Sequence, residues 1–302
     1  MALDSGNTTI TTSASIAGGV GKVLGDAVIA FNKVNVIAPL VAQKTGVSGS
    51  ITVEWADWKV ASYADVAQTN EFAEATVQQI DTTARTATLT EHVLQVDIAD
   101  LAEQGYGAGG TLANGAGAVI GNAISARLDN DLAALFAEGN FTNSVATAGQ
   151  TMDIGDVFEA LRLLHANQAP APLNLVLGTQ QVWGAKGLRL MIQGHATLST
   201  STNLMGGTPS VGHKFSETGF VTKLAGFDVY TTPEIVEDGN NDEAGMAFSR
   251  NAFGLAIPAK GLMNIETQRD ASKRMTEYVG VGTWGEVIIK ELYGVSMTSD
   301  VS

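Results

Sequence analysis

Cysteine is absent from the 302 residues, which excludes disulfides, zinc thiolates and thiol catalysis. Charge is scarce too. Charged side chains make up 16%, against about 25% in an average soluble domain. A free monomer of this size needs more charge to keep its surface wetted and unassociated. Positive charge is scarcer still: 17 Lys and Arg stand against 31 Asp and Glu, a net charge of −14. Non-specific nucleic-acid binding neutralises phosphates with Lys and Arg, so tight DNA binding is not expected. No run of about 18 apolar residues is present to cross a membrane. The most apolar long stretch, Val23 to Ala42, is interrupted by Asp26, Asn32, Lys33 and Pro39. The opening MALDSGNTT lacks the basic region and apolar segment of a secretion signal.

Catalytic patterns are missing as well. Gly105 to Gly110, GYGAGG, has the letters of a dinucleotide fingerprint. That motif needs a strand ending at its first glycine, and DIADLAEQ intervenes; it reads as a joint before a helix. GGVGK, Gly18 to Lys22, has Ile16 where a phosphate loop needs glycine and Val23 where it needs a hydroxyl. EDGNNDE, Glu237 to Glu243, spaces Asp238, Asn240 and Asp242 like a calcium loop. Its sixth position is Glu243 and its twelfth Ser249, where glycine and a carboxylate are required, so a solvated turn is expected. His92, His165, His195 and His213 are scattered without HExxH spacing. His165, four residues after Leu161, is expected to be packed. No G-x-S-x-G elbow occurs. No catalytic, cofactor-binding or metal-binding residue can therefore be named, and no cofactor is expected.

What is present is architecture. Residues 1–14 are rich in Thr, Ser and Asn and read as an extended arm. Ile16, Val20, Leu24, Val28 and Phe31 follow helical spacing, weakened by four glycines. Ile51, Val53 and Trp55 alternate with polar residues, and Arg85 to Thr90 alternates again. A polar, acidic stretch lies between them, so Ile51 to Ile98 predicts a long hairpin with a loose tip. With about 15 residues in each arm it would reach roughly 50 Å. Isolated two-stranded hairpins are only marginally stable, and this one should lie on something else. Leu112 to Glu138 predicts a spine helix of about 40 Å. Its stripe is Ala116, Ile120, Ile124, Leu128, Leu132 and Leu135 or Phe136, with Asn122, Ser125 and Asp129 opposite. Arg127 and Asp131 can pair at i,i+4, and Gly139 is a natural stop.

Asp153 is expected to begin a helix with Ile154, Val157, Phe158, Leu161 and Leu164 on one face. LNLVLG, Leu173 to Gly178, reads as a buried strand, and Thr179 to Leu190 as another helix. Phe220 to Leu224 and Phe227 to Tyr230, joined by Ala225-Gly226 and stopped by Pro233, predict two strands and a tight turn. Alternation returns in NIETQRD and WGEVIIKELYGVSMT. Arg269, Lys273 and Arg274 form the nearest thing to a basic cluster, and pairing with Glu266, Asp270 and Glu277 is expected.

Taken in order, these segments resemble the major capsid proteins of tailed bacteriophages, the shell fold named after phage Hong Kong ninety-seven. The likeness runs from about Leu40 to Met297. GSITVEW, VAQTNEF and TATLTEHVLQVDIADLAEQ look like the extended loop and its return strand. GAVIGNAISARLDNDLAALFAEG is similar to the spine helix of the peripheral domain. VTKLAGFDVYTTPEI with AGMAFSRNAFGLAI looks like the axial-domain strands, and TEYVGVGTWGEVIIKELYGVSM resembles the closing strands.

The resemblance implies an α+β fold: N-terminal arm 1–50, extended hairpin loop 51–98, and peripheral domain with spine helix 99–150. An axial domain 151–257 and closing strands of the peripheral domain 258–302 complete it. It implies a non-enzymatic shell protein assembling as hexamers and pentamers into an icosahedral head enclosing double-stranded DNA. Its place would be the virion capsid, assembled in the host cytoplasm. A separate scaffolding protein and a portal are implied as partners, with a decoration protein left open and no membrane. Like charge on the wall would let the genome slide in. Some members crosslink a loop lysine; the only hairpin lysine, Lys59, is not at the tip, so no crosslink is expected. Candidate contacts between subunits are Trp55, Trp58, Lys59, Phe72, Glu74, Arg85, Arg269 and Arg274. Trp55 and Trp58 with Lys59 could also stack a base, although hairpin aromatics usually pack across strands. The rival readings are an encapsulin-type nanocompartment shell, an α/β nucleotide-binding enzyme, and a tail or surface-array protein.

Overall fold

A computed structural model describes residues 35–58, 66, 81–105, 111–146, 148–184, 186–188 and 220–301. The expected helix from Ile16, the GGVGK segment and, apart from Val66, the hairpin tip 63–79 lie outside these residues. After a 3₁₀ turn at Ala38–Leu40 come β1 (Ala42–Val47), β2 (Thr52–Trp58), β3 (Thr82–Thr88) and β4 (Thr90–Ala99). Two helices follow, α1 (Asp100–Gly105) and α2 (Thr111–Ala134). Next are β5 (Ser144–Val145), α3 (Ile154–Ala166), β6 (Leu173–Gly178) and the short α4 (Thr179–Trp183). The remainder is β7 (Phe220–Leu224), β8 (Phe227–Thr232), β9 (Asp242–Ser249), β10 (Phe253–Pro258), β11 (Met263–Asp270), β12 (Met275–Ile288) and β13 (Gly294–Asp300).

Two sheets organise the chain. The first runs β1-β10-β12-β11, with β4 also on β12; the second runs β5-β13-β9-β6-β8-β7. β12 is shared along its length: residues 275–282 pair with β11, 275–284 with β4, and 285–288 with β10. The second sheet is covered on both faces. Leu173, Leu175 and Leu177 of β6 pack with Val157, Ala160 and Leu164 of α3. Val176 of the same strand joins Leu128, Leu132 and Phe136, at and beyond the end of α2. That two-sided burial is why LNLVLG reads as a continuous apolar run. Ala225 and Gly226 both have positive φ, 50° and 91°, the combination that matches the twist of a tight hairpin.

The spine helix carries the expected stripe: Ala116, Ile120, Ile124, Leu128, Leu132 and Phe136 are all buried. Gly280 and Gly282 of β12 let it close on the first sheet. A Cβ at Gly280 would collide with Ile120 Cγ2, and one at Gly282 would lie 2.7 Å from Ile124 Cγ2. The helix stops at Ala134, before the expected Gly139. Its last turn tightens, with Leu135 N bonding Leu132 O and Phe136 N bonding Ala133 O. Free carbonyls are taken by Asn140 Nδ2 on Leu135 O (3.1 Å) and Ser296 Oγ on Phe136 O (2.8 Å).

Several expectations are corrected. Asp129 is not on a polar outer face; it is 1% exposed and accepts from Val36 N (2.7 Å) and Ile37 N (3.3 Å). Phe158 is exposed, because it falls one step beside the Val157–Ala160–Leu164 line that meets the sheet. His165 is exposed, not packed. α4 closes after five residues; a Cβ at Gly184 would collide with Gln180 O. Three strands also pair outside the segments in which they were expected. β1, placed in the arm, pairs parallel with β10. β4, placed in the hairpin, leaves it after Leu89 to pair with β12. β13, placed among the closing peripheral strands, joins β9 in the second sheet. Each strand's backbone donors and acceptors went to the partner that the packing offered, which local alternation does not specify.

Candidate functional site

β2 and β3 pair antiparallel from Thr52↔Thr88 to Trp58↔Thr82 and form a sheet of their own. At seven residues a side, the described ladder is about 23 Å long. Val53, Trp55 and Ala87 turn one face inward and pack on Ala256 and Ile289. The other face carries no apolar cover among the described residues, and Ile51 and Trp58 are 71% and 59% exposed.

The root is held by charge as well as by packing. Lys44 Nζ lies 4.8 Å from the centre of the Trp55 ring and donates to Glu54 O. Lys290 Nζ is 3.1 Å from Asp57 Oδ1 and donates to Trp58 O at 3.0 Å. Arg85 on the opposite strand pairs with Glu291 at 3.0 Å. Trp55 is thus buried at 8% exposure in its own chain, Arg85 is engaged there, and Trp58 is free on one side. Lys59, Phe72 and Glu74 lie outside the described residues.

Arg269 and Arg274 come together around a residue the sequence reading missed. Arg269 gives a two-pronged pair to Asp100, at 2.9 and 2.7 Å, and Asp100 N donates to Arg274 O at 3.0 Å. The bond from Arg269 holds the Asp100 carboxyl below its usual range. Arg274 itself has φ 55° in the turn between β11 and β12. The expected pairing of Arg269 with Glu266, Asp270 or Glu277 is replaced by this one; Lys273 does pair with Asp270, at 3.6 Å. Asp100, Lys290 and Glu291 carried no signal of their own. Arg85 and Glu291 are 206 positions apart, beyond any local pattern.

A second deeply buried carboxylate, besides Asp129, is structural. Glu243 is 3% exposed, and burial pushes its carboxyl up while main-chain N–H groups of Gln181 and Gln180 hold it down. Gln181 Nε2 donates to Glu243 O (2.8 Å), Met297 O (3.0 Å) and Ser299 Oγ (2.9 Å). The cluster ties α4 to β9 and β13. In the EDGNNDE turn, Asp238 Oδ1 accepts from Asn240 N (2.7 Å) and Asp242 N (3.0 Å), spending its oxygen on the chain. Among the described residues no group of three His, Asp or Glu could hold a metal ion. No described helix is long and apolar enough to cross a membrane.

No family model matches the sequence, and no curated protein matches it. Solved structures match in shape. The chain is similar to the capsid of the cyanophage P-SCSP1u, with TM-score 0.67 and 14% identity, over 95% of this chain and 92% of that one. The fold is the Hong Kong ninety-seven type capsid fold. A Ralstonia phage capsid gives TM-score 0.62 at 10% identity, covering 87% of each chain. The SrpI encapsulin complex from Synechococcus elongatus gives 0.60 at 10% identity, covering 88% of each.

Proposed function

We propose that this chain is the major capsid protein of a tailed phage, a structural protein that packs as hexamers and pentamers into an icosahedral head around double-stranded DNA. The observation that carries the reading is a shape match to a phage capsid covering nearly all of both chains, 95% and 92%. Low charge, 16% of residues, and a hairpin with one uncovered face support it, because both call for partners. Trp58, Lys59, Phe72, Glu74 and Arg274 are proposed contacts between copies, and Trp55, Arg85 and Arg269 act from within the chain to hold the contacting elements. A separate scaffolding protein and a portal complete the assembly, which takes place in the host cytoplasm. The acidic balance fits a wall that encloses DNA without adsorbing it.

The encapsulin match supports a second reading, a shell enclosing a protein cargo. Expression followed by negative-stain microscopy and ultraviolet absorbance of purified particles tests both. Closed shells of uniform diameter are expected, with the scaffold candidate or without it. Monomers alone at high concentration under both conditions would overturn the proposal. Particles isolated from the native source that hold a protein and no DNA would favour the second reading.

A further inference from the structure

Two short connectors join the sheets, and the hairpin root stands on both. Arg250–Ala252 leads from β9 in the second sheet to β10 in the first. Residues 289–293 lead from β12 back to β13. The connectors are bonded to each other: Ile289 N and Lys290 N both donate to Ala252 O, at 2.8 and 3.2 Å. Trp55 packs over Gly254, two residues beyond the first connector, and Ile289 of the second belongs to the same cluster.

Packing through one face still lets a two-stranded ribbon rock about its contact. The charged contacts remove that freedom. Lys290 holds β2 through the Asp57 carboxylate and the Trp58 carbonyl, and its side chain is only 15% exposed. Its ammonium also sits 5.0 Å from the Tyr293 ring, within the same connector. Glu291, the next residue, holds β3 through Arg85. Arg85 is directly opposite Trp55, while Asp57 and Trp58 lie two and three residues further along, roughly 7–10 Å at strand spacing. The hairpin is therefore gripped at two heights and on both strands. One grip is a main-chain carbonyl, so it fixes the backbone and not merely a side chain.

We infer that Lys290 and Glu291 are positioning residues that set the direction of the hairpin relative to both sheets. The geometry stands by itself; its consequence for assembly rests on the shell function proposed above. Adjacent residues of one connector grip opposite strands with opposite charges, so the hairpin follows the junction between the sheets.

Hydrogen exchange with mass spectrometry, on unassembled Lys290→Met, Lys290→Arg and Glu291→Gln variants, tests the geometry. Peptides covering 52–58 and 82–88 should exchange faster in Lys290→Met by about tenfold or more, while the β6 peptide 173–178 keeps its protection. Lys290→Arg keeps the ion pair and should recover most of it. Unchanged hairpin exchange in Lys290→Met would overturn the inference. Equal loss in β6 would also overturn it, because Lys290 would then be a general stability residue. Shells assembled from Lys290→Met should be fewer or irregular; regular shells with a loosened hairpin would overturn the assembly consequence. If the parent chain forms no shells, the function proposal fails, and the exchange result still decides the positioning role.

Discussion

The indole of Trp55 occupies the space that a side chain at residue 254 would need: a Cβ on Gly254 would lie 2.9 Å from Cε2 and 3.0 Å from Cζ2. A residue of a separate two-stranded ribbon thereby becomes part of the body. Trp55→Ala should cost about 3–5 kcal/mol, since it removes a buried aromatic and leaves a cavity. Gly254→Ala should push the ring outward and cost about 1–3 kcal/mol. Denaturant unfolding of each variant checks both values. A Gly254→Ala protein as stable as its parent would show that the indole has room to move.

Asp129 ties the start of the described chain to the spine helix. Its carboxylate takes Val36 N at 2.7 Å and Ile37 N at 3.3 Å, fully out of solvent. Removing it leaves buried donors that water cannot reach, at about 1–3 kcal/mol each. Asp129→Ala should therefore destabilise by several kcal/mol and free the segment before Ala38 for limited proteolysis. Asp129→Asn keeps one acceptor and should cost less. Equal melting of both variants and the parent would remove Asp129 from that role.

The same residue marks where the sequence stops being legible. Periodicity gave the buried stripe from Ala116 to Phe136 because packing against a flat neighbour imposes it on every turn. It placed Asp129 opposite, since nothing local tells that an incoming chain needs an acceptor there. The tight turn at Ala225-Gly226 was readable from its residue types, as was the buried strand LNLVLG from its apolar run. Strand partners were not: β4 and β13 alternate equally well whichever sheet receives them. The candidate contacts fared likewise. Trp55 stood out as an aromatic, but Lys290, which holds the neighbouring residues, looks like any lysine after a strand. Arg269 was expected to meet carboxylates near it in sequence and meets Asp100, 169 positions away.

Spine-to-sheet contact gives a third prediction. Gly280 leaves no room for a methyl group, which would collide with Ile120 Cγ2. Gly280→Ala should cost about 1–3 kcal/mol, or more if neither element can shift. Ile120→Ala alone should cost about 2–5 kcal/mol through its cavity. Together they should cost less than the sum, because the added methyl enters the space that the isoleucine leaves. A double-mutant cycle by thermal or urea unfolding measures the coupling. Strict additivity would mean that the two positions do not meet.

Glu286 supplies the pH dependence. Burial, and then the nearby Asp131 carboxylate, pushes its carboxyl above the usual range, with Arg127 opposing. Its buried Oε2 has no hydrogen-bond partner among the described residues. Asp131 is itself occupied by Arg127 at 2.8 Å, Trp284 Nε1 at 3.3 Å and His92 Nε2 at 3.5 Å. A raised carboxyl binds its proton more tightly in the folded chain than in the unfolded one. Its contribution is complete below the ordinary carboxylate value, about 4.3, and is lost as pH rises through the folded value. Asp100 has the opposite sign, since its lowered carboxyl favours folding above the ordinary range, but its partner Arg269 is exposed and the effect of such a surface pair is small. Glu286→Gln should therefore melt like the parent near pH 4 and above it at pH 7, with a flatter profile between. Glu243→Gln is the contrast: its carboxylate receives main-chain N–H bonds that an amide oxygen accepts more weakly, so its gain at pH 7 should be smaller. Melting temperatures across pH 4 to 8 decide it, and a Glu286→Gln protein less stable than the parent at pH 7 would show that the ionised carboxylate has a partner worth keeping.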